Sequence, residues 1–120
     1  MDDIKYYVAV ASSDGIVVNK HFGRADTFLI YGITEDNGYK YIEKLEVTPI
    51  CEGGNHDENK LVKNAEELSM CRYVLVSRIG PGASNVLASK GITAMEIPDL
   101  IDNALNKLVS YDEIQNLFEN

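Results

Sequence analysis

The apolar residues of this chain change their spacing near Cys51, and that change constrains the fold more than any other feature. Before it, residues 4–12, 27–33 and 39–47 have the short apolar or alternating patterns that are typical of strands. After it, apolar residues recur at the spacing of a one-sided helix, namely Leu61, Val62, Ala65 and Leu68. A chain that begins with strands and then alternates helices with strands is predicted to be an α/β protein.

The order of the predicted elements indicates a mixed sheet of about five strands with helices packed on it. Asn37 and Gly38 form the strongest short hairpin signal, so the strands on either side of them are predicted to pair antiparallel. Two more strands, at 72–79 and 92–97, flank a helical segment that Gly91 can terminate. These units make crossover connections. We expect residues 1–120 to form a single compact domain, which is large enough to bury its own core.

The predicted helix ends rest on capping residues. Asn55 is a candidate N-cap with Glu58 three residues later, which would place His56 at the first helical position. Pro98 is predicted to open a helix that continues to Val109. A second capping box then predicts a separate terminal helix, whose buried residues would be Ile114, Leu117 and Phe118.

Charge and cysteine content exclude several classes of protein. Acidic residues number 19 against 11 basic ones, so the net charge is -8 and there is no basic run to bind nucleic acid. No apolar run is long enough for a membrane span, and the N-terminus is wrong for a signal peptide, so we expect a cytoplasmic location. Cys51 and Cys71 form no C-x-x-C motif, which argues against a redox dithiol or a closed zinc site.

Residues 20–24 gather cationic and metal-ligating side chains in an otherwise acidic chain. His21 is a candidate metal ligand, because neutral imidazole is the commonest protein ligand of metals. Lys20 and Arg24 would neutralise negative charge beside it, and Gly23 would allow a close approach of the backbone. A histidine held by a local hydrogen bond is the structural alternative.

A second loop offers a thiol and another imidazole. Cys51 and His56 are separated by two glycines that would let the backbone bend, and together they suit iron or zinc. An ordinary turn before a helix explains the same residues. We interpret Cys71 as a packed apolar residue, because it precedes a buried strand. The Gly-rich residues 79–84 lack a full phosphate-binding motif, and a structural turn is the favoured interpretation.

The segment DGIVVNKHFGRADTFLIY, followed in order by CEGGNHDE and CRYVLVSRIGPGA, resembles the dinitrogenase iron–molybdenum cofactor biosynthesis family. That family includes NifX- and NafY-type carriers and the C-terminal domain of NifB-type proteins. The resemblance implies a three-layer, ribonuclease H-like α/β/α fold. It also implies binding of an iron–sulfur cluster or iron–molybdenum cofactor as cargo, without catalysis, and cofactor-biosynthesis or acceptor proteins as partners. His21 matches the family's cofactor-associated histidine, while Cys51 and His56 match a Cys-Gly-Gly-His pattern found in part of the family.

Three other functions remain open on the sequence alone. The same loops would serve a binding module for another metal ion or small anion. A thiol-dependent enzyme would use Cys51 as its nucleophile, although no orienting acid or oxyanion hole is evident. A regulatory or scaffolding domain would use its histidines structurally.

Overall fold

The computed structural model describes residues 3–52, 55–56 and 58–118, with side chains for 3–50 and 58–118. Its strands and helices follow the predicted order except for two additional short strands before the first helix and a single C-terminal helix in place of two. The strands are β1 Ile4–Ala11, β2 Thr27–Thr34, β3 Tyr39–Glu46, β4 Cys51–Glu52, β5 Asn55–His56, β6 Cys71–Val76 and β7 Thr93–Glu96. The helices are α1 Glu58–Glu67, α2 Pro81–Ser89 and α3 Ile101–Phe118, with a short 3₁₀ turn at Phe22–Arg24.

Five strands form a mixed sheet in the order β3-β2-β1-β6-β7, which confirms the predicted sheet. β2 pairs antiparallel with both β1 and β3, whereas β6 pairs parallel with β1 and β7. The antiparallel half is a local hairpin, and the parallel half is built from two crossovers through helices. β4 and β5 form a separate two-stranded sheet that the sequence analysis missed.

Helices cover both faces of the sheet. On one face, Ala9 and Ala11 of β1 pack in a cluster with Leu61 of α1 and Leu87 of α2. On the other face, Val8 and Val10 pack in a cluster with the buried side of α3. Alternate residues of a strand point to opposite faces, so one short apolar run supplies both clusters. The predicted three-layer α/β/α arrangement is confirmed, while the ribonuclease H-like assignment stays a prediction.

The predicted hairpin between β2 and β3 is confirmed. Asn37 adopts a left-handed backbone conformation with φ of 67°, which asparagine tolerates better than most residues. The Thr34 N–H donates to the Gly38 carbonyl at 2.9 Å and closes the turn.

The prediction for the start of the first helix is wrong. Asn55 and His56 lie in β5, and α1 begins at Glu58. Asn55 is therefore not the N-cap, and His56 is not in the helix. The pairing of β4 with β5 outweighs the capping signal, because a capping residue expresses only a weak local preference.

The prediction of two C-terminal helices is also wrong. α3 is one helix of 18 residues that begins three positions after Pro98 and passes through Ser110 without a break. No Gly or Pro interrupts it, so nothing forces the helix to end at the second capping box. Its last turns extend past the sheet, leaving Ile114, Leu117 and Phe118 exposed at 51%, 77% and 82% instead of buried. Within the described residues no helix is long and apolar enough to cross a bilayer.

Candidate functional site

Four strands of the main sheet end at the same edge. β1, β6 and β7 are parallel, and β3 points the same way because both β1 and β3 are antiparallel to β2. We call the surface formed there by residues 12–26, 77–80 and 97–100 the rim. The chain leaves β1 towards β2 on one side, whereas β6 leads to β7 on the other, so the strand order reverses between β1 and β6. Ligands of open α/β sheets bind at such a reversal.

Backbone hydrogen bonds hold the rim together. The Ser77 N–H donates to the Lys20 carbonyl at 3.0 Å, and the Phe22 N–H donates to the Arg78 carbonyl at 2.9 Å. His21 and Arg78 therefore form an isolated parallel β-bridge through their backbones. The Val18 N–H donates to the Asp99 carbonyl at 2.9 Å, which ties the same segment to the chain after β7. The backbone around His21 is thus fixed by the ends of two strands.

The His-Phe-Gly-Arg-Ala segment separates anchoring side chains from exposed ones. Phe22 and Ala25 are buried at 2% and 0% exposure, and the Phe22 ring packs against Phe28 with centroids 5.8 Å apart. His21 and Arg24 are exposed. The buried side chains of Phe22 and Ala25 therefore anchor the segment. The His21 imidazole and the Arg24 guanidinium are exposed to solvent.

The imidazole of His21 has no structural partner among the residues that the structure describes. His21 is the N-cap residue of the 3₁₀ turn, with φ of -72° and ψ of 143°, yet its side chain makes no capping hydrogen bond. The expected local hydrogen bond that would explain a structural histidine is therefore not seen. Gly23 lies half-buried within the same turn, outside the left-handed region.

Three cations lie on the rim beside His21. Lys20, Arg24 and Arg78 form no ion pair within 4 Å with any described acidic side chain. The same loop contains two acids: Asp26 forms no ion pair with these cations, and Asp14 accepts backbone N–H bonds from Ile16 at 2.9 Å and Val17 at 3.0 Å. These bonds lower the pKa of the Asp14 carboxyl. The positive side chains thus remain available to an anion.

Arg78 is the residue that sequence reasoning missed. It lies 57 positions after His21 along the chain, and the two meet only through the parallel bridge at the rim. A usable signal was present, because Arg78 follows a buried strand and precedes a Gly-Pro-Gly turn. Such a position falls at the carboxyl end of a strand, where ligands bind.

The structure brings the backbone of Cys51 and His56 to the rim. β4 pairs antiparallel with β5, and the register places Cys51 directly opposite His56. β4 also lies against the 3₁₀ turn that follows His21, with Cα atoms within 8 Å. The side chains of both residues, and residues 53, 54 and 57, lie outside the described part of the chain. The ligand role of Cys51 and His56 therefore stays a prediction.

The two remaining predictions for this region concern Cys71 and the Gly-rich turn. Cys71 is 3% exposed and belongs to the cluster under α1 and α2, as predicted. Burial, with a smaller contribution from the Glu43 carboxylate, raises the pKa of its thiol to about 12. Gly80 is the N-cap residue of α2 and Pro81 occupies its first turn, so this segment forms the predicted structural turn into a helix.

A metal site built from three protein ligands is not found among the described side chains. No group of three or more His, Cys, Asp or Glu residues there is arranged to hold a metal ion. Of the described residues at the rim, His21 alone supplies an imidazole or thiol. The described part of the rim therefore offers one potential ligand beside three cations and three carboxylates, and it lacks a closed coordination cage.

Comparison with known proteins gives a consistent family. The profile of the family described as dinitrogenase iron-molybdenum cofactor matches residues 5–111. The FeMo cofactor biosynthesis protein NifB of Chlorobaculum tepidum is 32% identical over 118 residues, which cover 98% of this chain and 27% of that protein. Protein NifX of Sinorhizobium fredii is 30% identical over 88 residues, which cover 69% of this chain and 54% of NifX.

The chain thus spans only about a quarter of the length of that NifB relative and about half of the NifX relative. Among solved structures, the crystal structure of PH0822 superposes with a TM-score of 0.65 at 25% identity, covering 87% of this chain and 88% of that one. The similarity therefore extends over the whole sheet and its helices.

Proposed function

The chain belongs to the dinitrogenase iron-molybdenum cofactor family, and on that premise we propose that it binds and carries an anionic iron–sulfur cluster. The cargo is the iron–molybdenum cofactor or a precursor of it, and the chain does not transform it. The observation that carries this proposal is the exposed imidazole of His21, which lacks a described partner and sits among three cations on the rim.

The rim residues have two roles in the proposed binding: one coordinates a metal atom, and the others balance the charge of the cargo. A neutral imidazole is a good ligand for iron, so His21 holds a metal atom of the cluster. Lys20, Arg24 and Arg78 balance the negative charge of the cargo, with the arginines donating hydrogen bonds in a fixed fork. Gly23 leaves room beside the turn. The remaining negative charge of the protein, -8 overall, keeps the carrier soluble.

The proposal extends to the β4–β5 hairpin as a second source of ligands. The Cys51 thiolate suits iron and the His56 imidazole suits iron or zinc. Their opposed register, and the closeness of β4 to the 3₁₀ turn, support a shared site with His21. A carrier must release its cargo. A site with few protein ligands and an exposed position favours this release. Cofactor-biosynthesis or acceptor proteins would exchange the cargo at the rim.

The ligand role of His21 is tested by titrating His21→Ala with isolated iron–molybdenum cofactor under anaerobic conditions. Ile16→Ala is the matched control, because Ile16 is an apolar residue of the same loop and is 61% exposed. We expect His21→Ala to bind at least about tenfold more weakly than wild type, since a lost metal bond exceeds the 1.4 kcal/mol of a tenfold change. Both variants should keep the unfolding free energy within about 0.5 kcal/mol, the usual range for surface substitutions.

The outcome separates the carrier from its rivals. Normal binding of the cofactor by His21→Ala would overturn the ligand role of this histidine. Binding of zinc by the wild type, with no affinity for the cofactor, would favour a module for another metal ion.

A further inference from the structure

One side of the rim forms a cavity of about 470 Å³, and Lys20 is the one residue of its lining that the proposed carrier role uses. It opens between the start of the 12–26 loop and the neighbouring ends of β2 and β3. Leu29, which packs against the cluster under α3, contributes an apolar wall. The rest of the lining is mostly polar, with hydroxyls from Ser12, Ser13 and Thr27.

Two ammonium groups line the cavity and could donate to an anion. Lys20 reaches it from the loop, and Lys44 reaches it from β3. Lys44 is paired only with Glu46, at 3.8 Å, and both side chains are more than half exposed. An exposed pair of this kind contributes little to stability. Both lysines are therefore free to donate hydrogen bonds to a bound oxyanion.

Two carboxylates in the lining determine which oxyanion fits. Asp14 is already satisfied, because its Oδ1 accepts from the N–H groups of Ile16 and Val17 and from the Ser12 hydroxyl at 3.2 Å. The carboxylate of Asp26 is exposed and makes no hydrogen bond or ion pair with the described side chains. An unpaired carboxylate repels a bare oxyanion but accepts a hydrogen bond from one that carries an O–H group.

We propose that this cavity is a second binding site, specific for a small oxyanion that carries a hydroxyl group, of which hydrogen phosphate is the simplest. The two lysines and the hydroxyls of Ser13 and Thr27 donate to its unprotonated oxygens, while the Ser12 hydroxyl stays bonded to Asp14. Its single O–H donates to Asp26. Sulfate has the same shape and charge but no proton, so it meets the Asp26 carboxylate as a like charge without a compensating bond.

The site is tested by calorimetric titration of wild-type protein at neutral pH and low ionic strength, with inorganic phosphate and with sulfate. We expect phosphate to bind, and sulfate to bind at least about tenfold more weakly, because sulfate has no O–H group to donate to the charged Asp26. Absence of any phosphate binding up to about 10 mM, or equal binding of the two anions, would overturn the proposal.

Two variants and one control locate the site. Lys44→Gln should weaken phosphate binding about fivefold or more, since it removes one charge-assisted donor. Lys40→Gln is the control, because Lys40 lies on the same strand but does not line the cavity. Asp26→Asn should bring sulfate binding to within about threefold of phosphate, because the amide offers a donor in place of the repelling charge. Equal effects of Lys44→Gln and Lys40→Gln would contradict the assignment.

These measurements do not involve the cluster, so they succeed or fail independently of the proposed carrier function.

Discussion

Arg78 and His21 are proposed to contribute to cargo binding in different ways, although their backbones form a parallel bridge. His21 is proposed to coordinate a metal, and the strength of that bond depends on short-range geometry. Arg78 acts through charge and hydrogen bonds, so its contribution should depend on salt. We expect Arg78→Gln to weaken cofactor binding about fivefold at low ionic strength. This factor corresponds to about 1 kcal/mol, the interaction energy of one charge with an anion at a solvated surface.

The measurement is a pair of anaerobic titrations with isolated cofactor, at low and at high salt. Lys90→Gln is the control, since Lys90 follows α2 at its end away from the rim. The loss caused by Arg78→Gln should shrink as salt increases. A loss that is independent of salt, or one equal to that of Lys90→Gln, would argue against an electrostatic role.

The two cysteines should differ in reactivity. The Cys71 thiol is buried and has a pKa raised to about 12, so almost no thiolate is present at neutral pH. Cys51 lies in the two-residue strand beside the 3₁₀ turn and is proposed as a ligand. We expect a thiol reagent to modify Cys51 first in the native protein, and bound cofactor to protect it, as mass spectrometry of the labelled peptides will report.

Alanine variants of the same cysteines should separate binding from stability. Cys51→Ala should impair cluster binding with little change in the unfolding free energy. Cys71→Ala should spare binding and cost about 1 kcal/mol of stability through lost packing. Equal labelling of both thiols, or unchanged labelling of Cys51 after loading, would leave His21 as the remaining ligand candidate.

Asp99 gives the start of α3 a pH-dependent contribution to stability. Its carboxylate pairs with Lys107 at 2.9 Å and also accepts hydrogen bonds from the Asn103 amide and the Leu100 N–H. These partners, Lys107 first, lower the pKa of the Asp99 carboxyl to about 2 in the folded protein. A carboxyl with a depressed folded pKa stabilises the protein above its unfolded pKa, and the contribution disappears as pH falls towards the folded value.

We therefore expect wild type to be more stable than Asp99→Asn at neutral pH. This difference should be constant above about pH 5 and should decline between about pH 4 and pH 2, the interval between the unfolded and folded values. Thermal unfolding at a series of pH values measures it. A difference that does not change over this acidic interval would show that the carboxylate charge has no role.

A buried polar contact fixes α3 against the sheet at the end opposite the rim. The Tyr73 hydroxyl of β6 donates to Asp112 of α3 at 2.6 Å, and these residues are 5% and 4% exposed. Arg72 lies 3.4 Å from the same carboxylate, and its guanidinium also stacks 4.7 Å above the Tyr6 ring. This group orients the helix without contacting the residues of the rim.

Removing the Tyr73 hydroxyl should therefore affect stability and not binding. We expect Tyr73→Phe to cost about 1 kcal/mol in urea unfolding, because the buried Asp112 carboxylate loses its shortest hydrogen bond and keeps only the longer contacts with Arg72 and Asn116. Tyr41→Phe is the control, since Tyr41 is 54% exposed. Cofactor affinity should stay at the wild-type value in both variants. A Tyr73→Phe variant as stable as Tyr41→Phe would mean that water replaces the lost bond.

The sequence predicts elements well where local patterns and tertiary packing agree. The strands β1 to β3 and the Asn37 turn were predicted because alternation, β-branched residues and a left-handed asparagine all favour one structure. The start of α1 and the break proposed near Ser110 were wrong, because capping signals are worth about 1 kcal/mol and cross-strand pairing or helix continuity outweighs them.

The candidate site was predictable in part. His21, Lys20 and Arg24 are neighbours in sequence, so their grouping needed no fold. Arg78 and the opposition of Cys51 to His56 depend on which strands pair, and one chain alone does not contain that information. The cavity between Lys20 and Lys44 was missed for the same reason.

The molecule as a whole combines a net charge of -8 with a group of cations around His21, at one end of a well-packed sheet. α3 begins at the rim, and the Tyr73–Asp112 contact lies 11 residues after Ile101, about 17 Å along the helix. This contact and the proposed cargo site therefore lie at opposite ends of the sheet. A protein built in this way can gain and lose a ligand at the rim without loosening the packing that holds the sheet and helices together.

The composition of protein purified without oxygen, after incubation with isolated iron–molybdenum cofactor and gel filtration, tests the carrier function most directly. We predict that iron and acid-labile sulfide co-elute with the protein in a constant ratio, and that His21→Ala elutes largely without them. Elution of the protein without iron, or with zinc alone, would contradict the proposal that this chain carries a cluster.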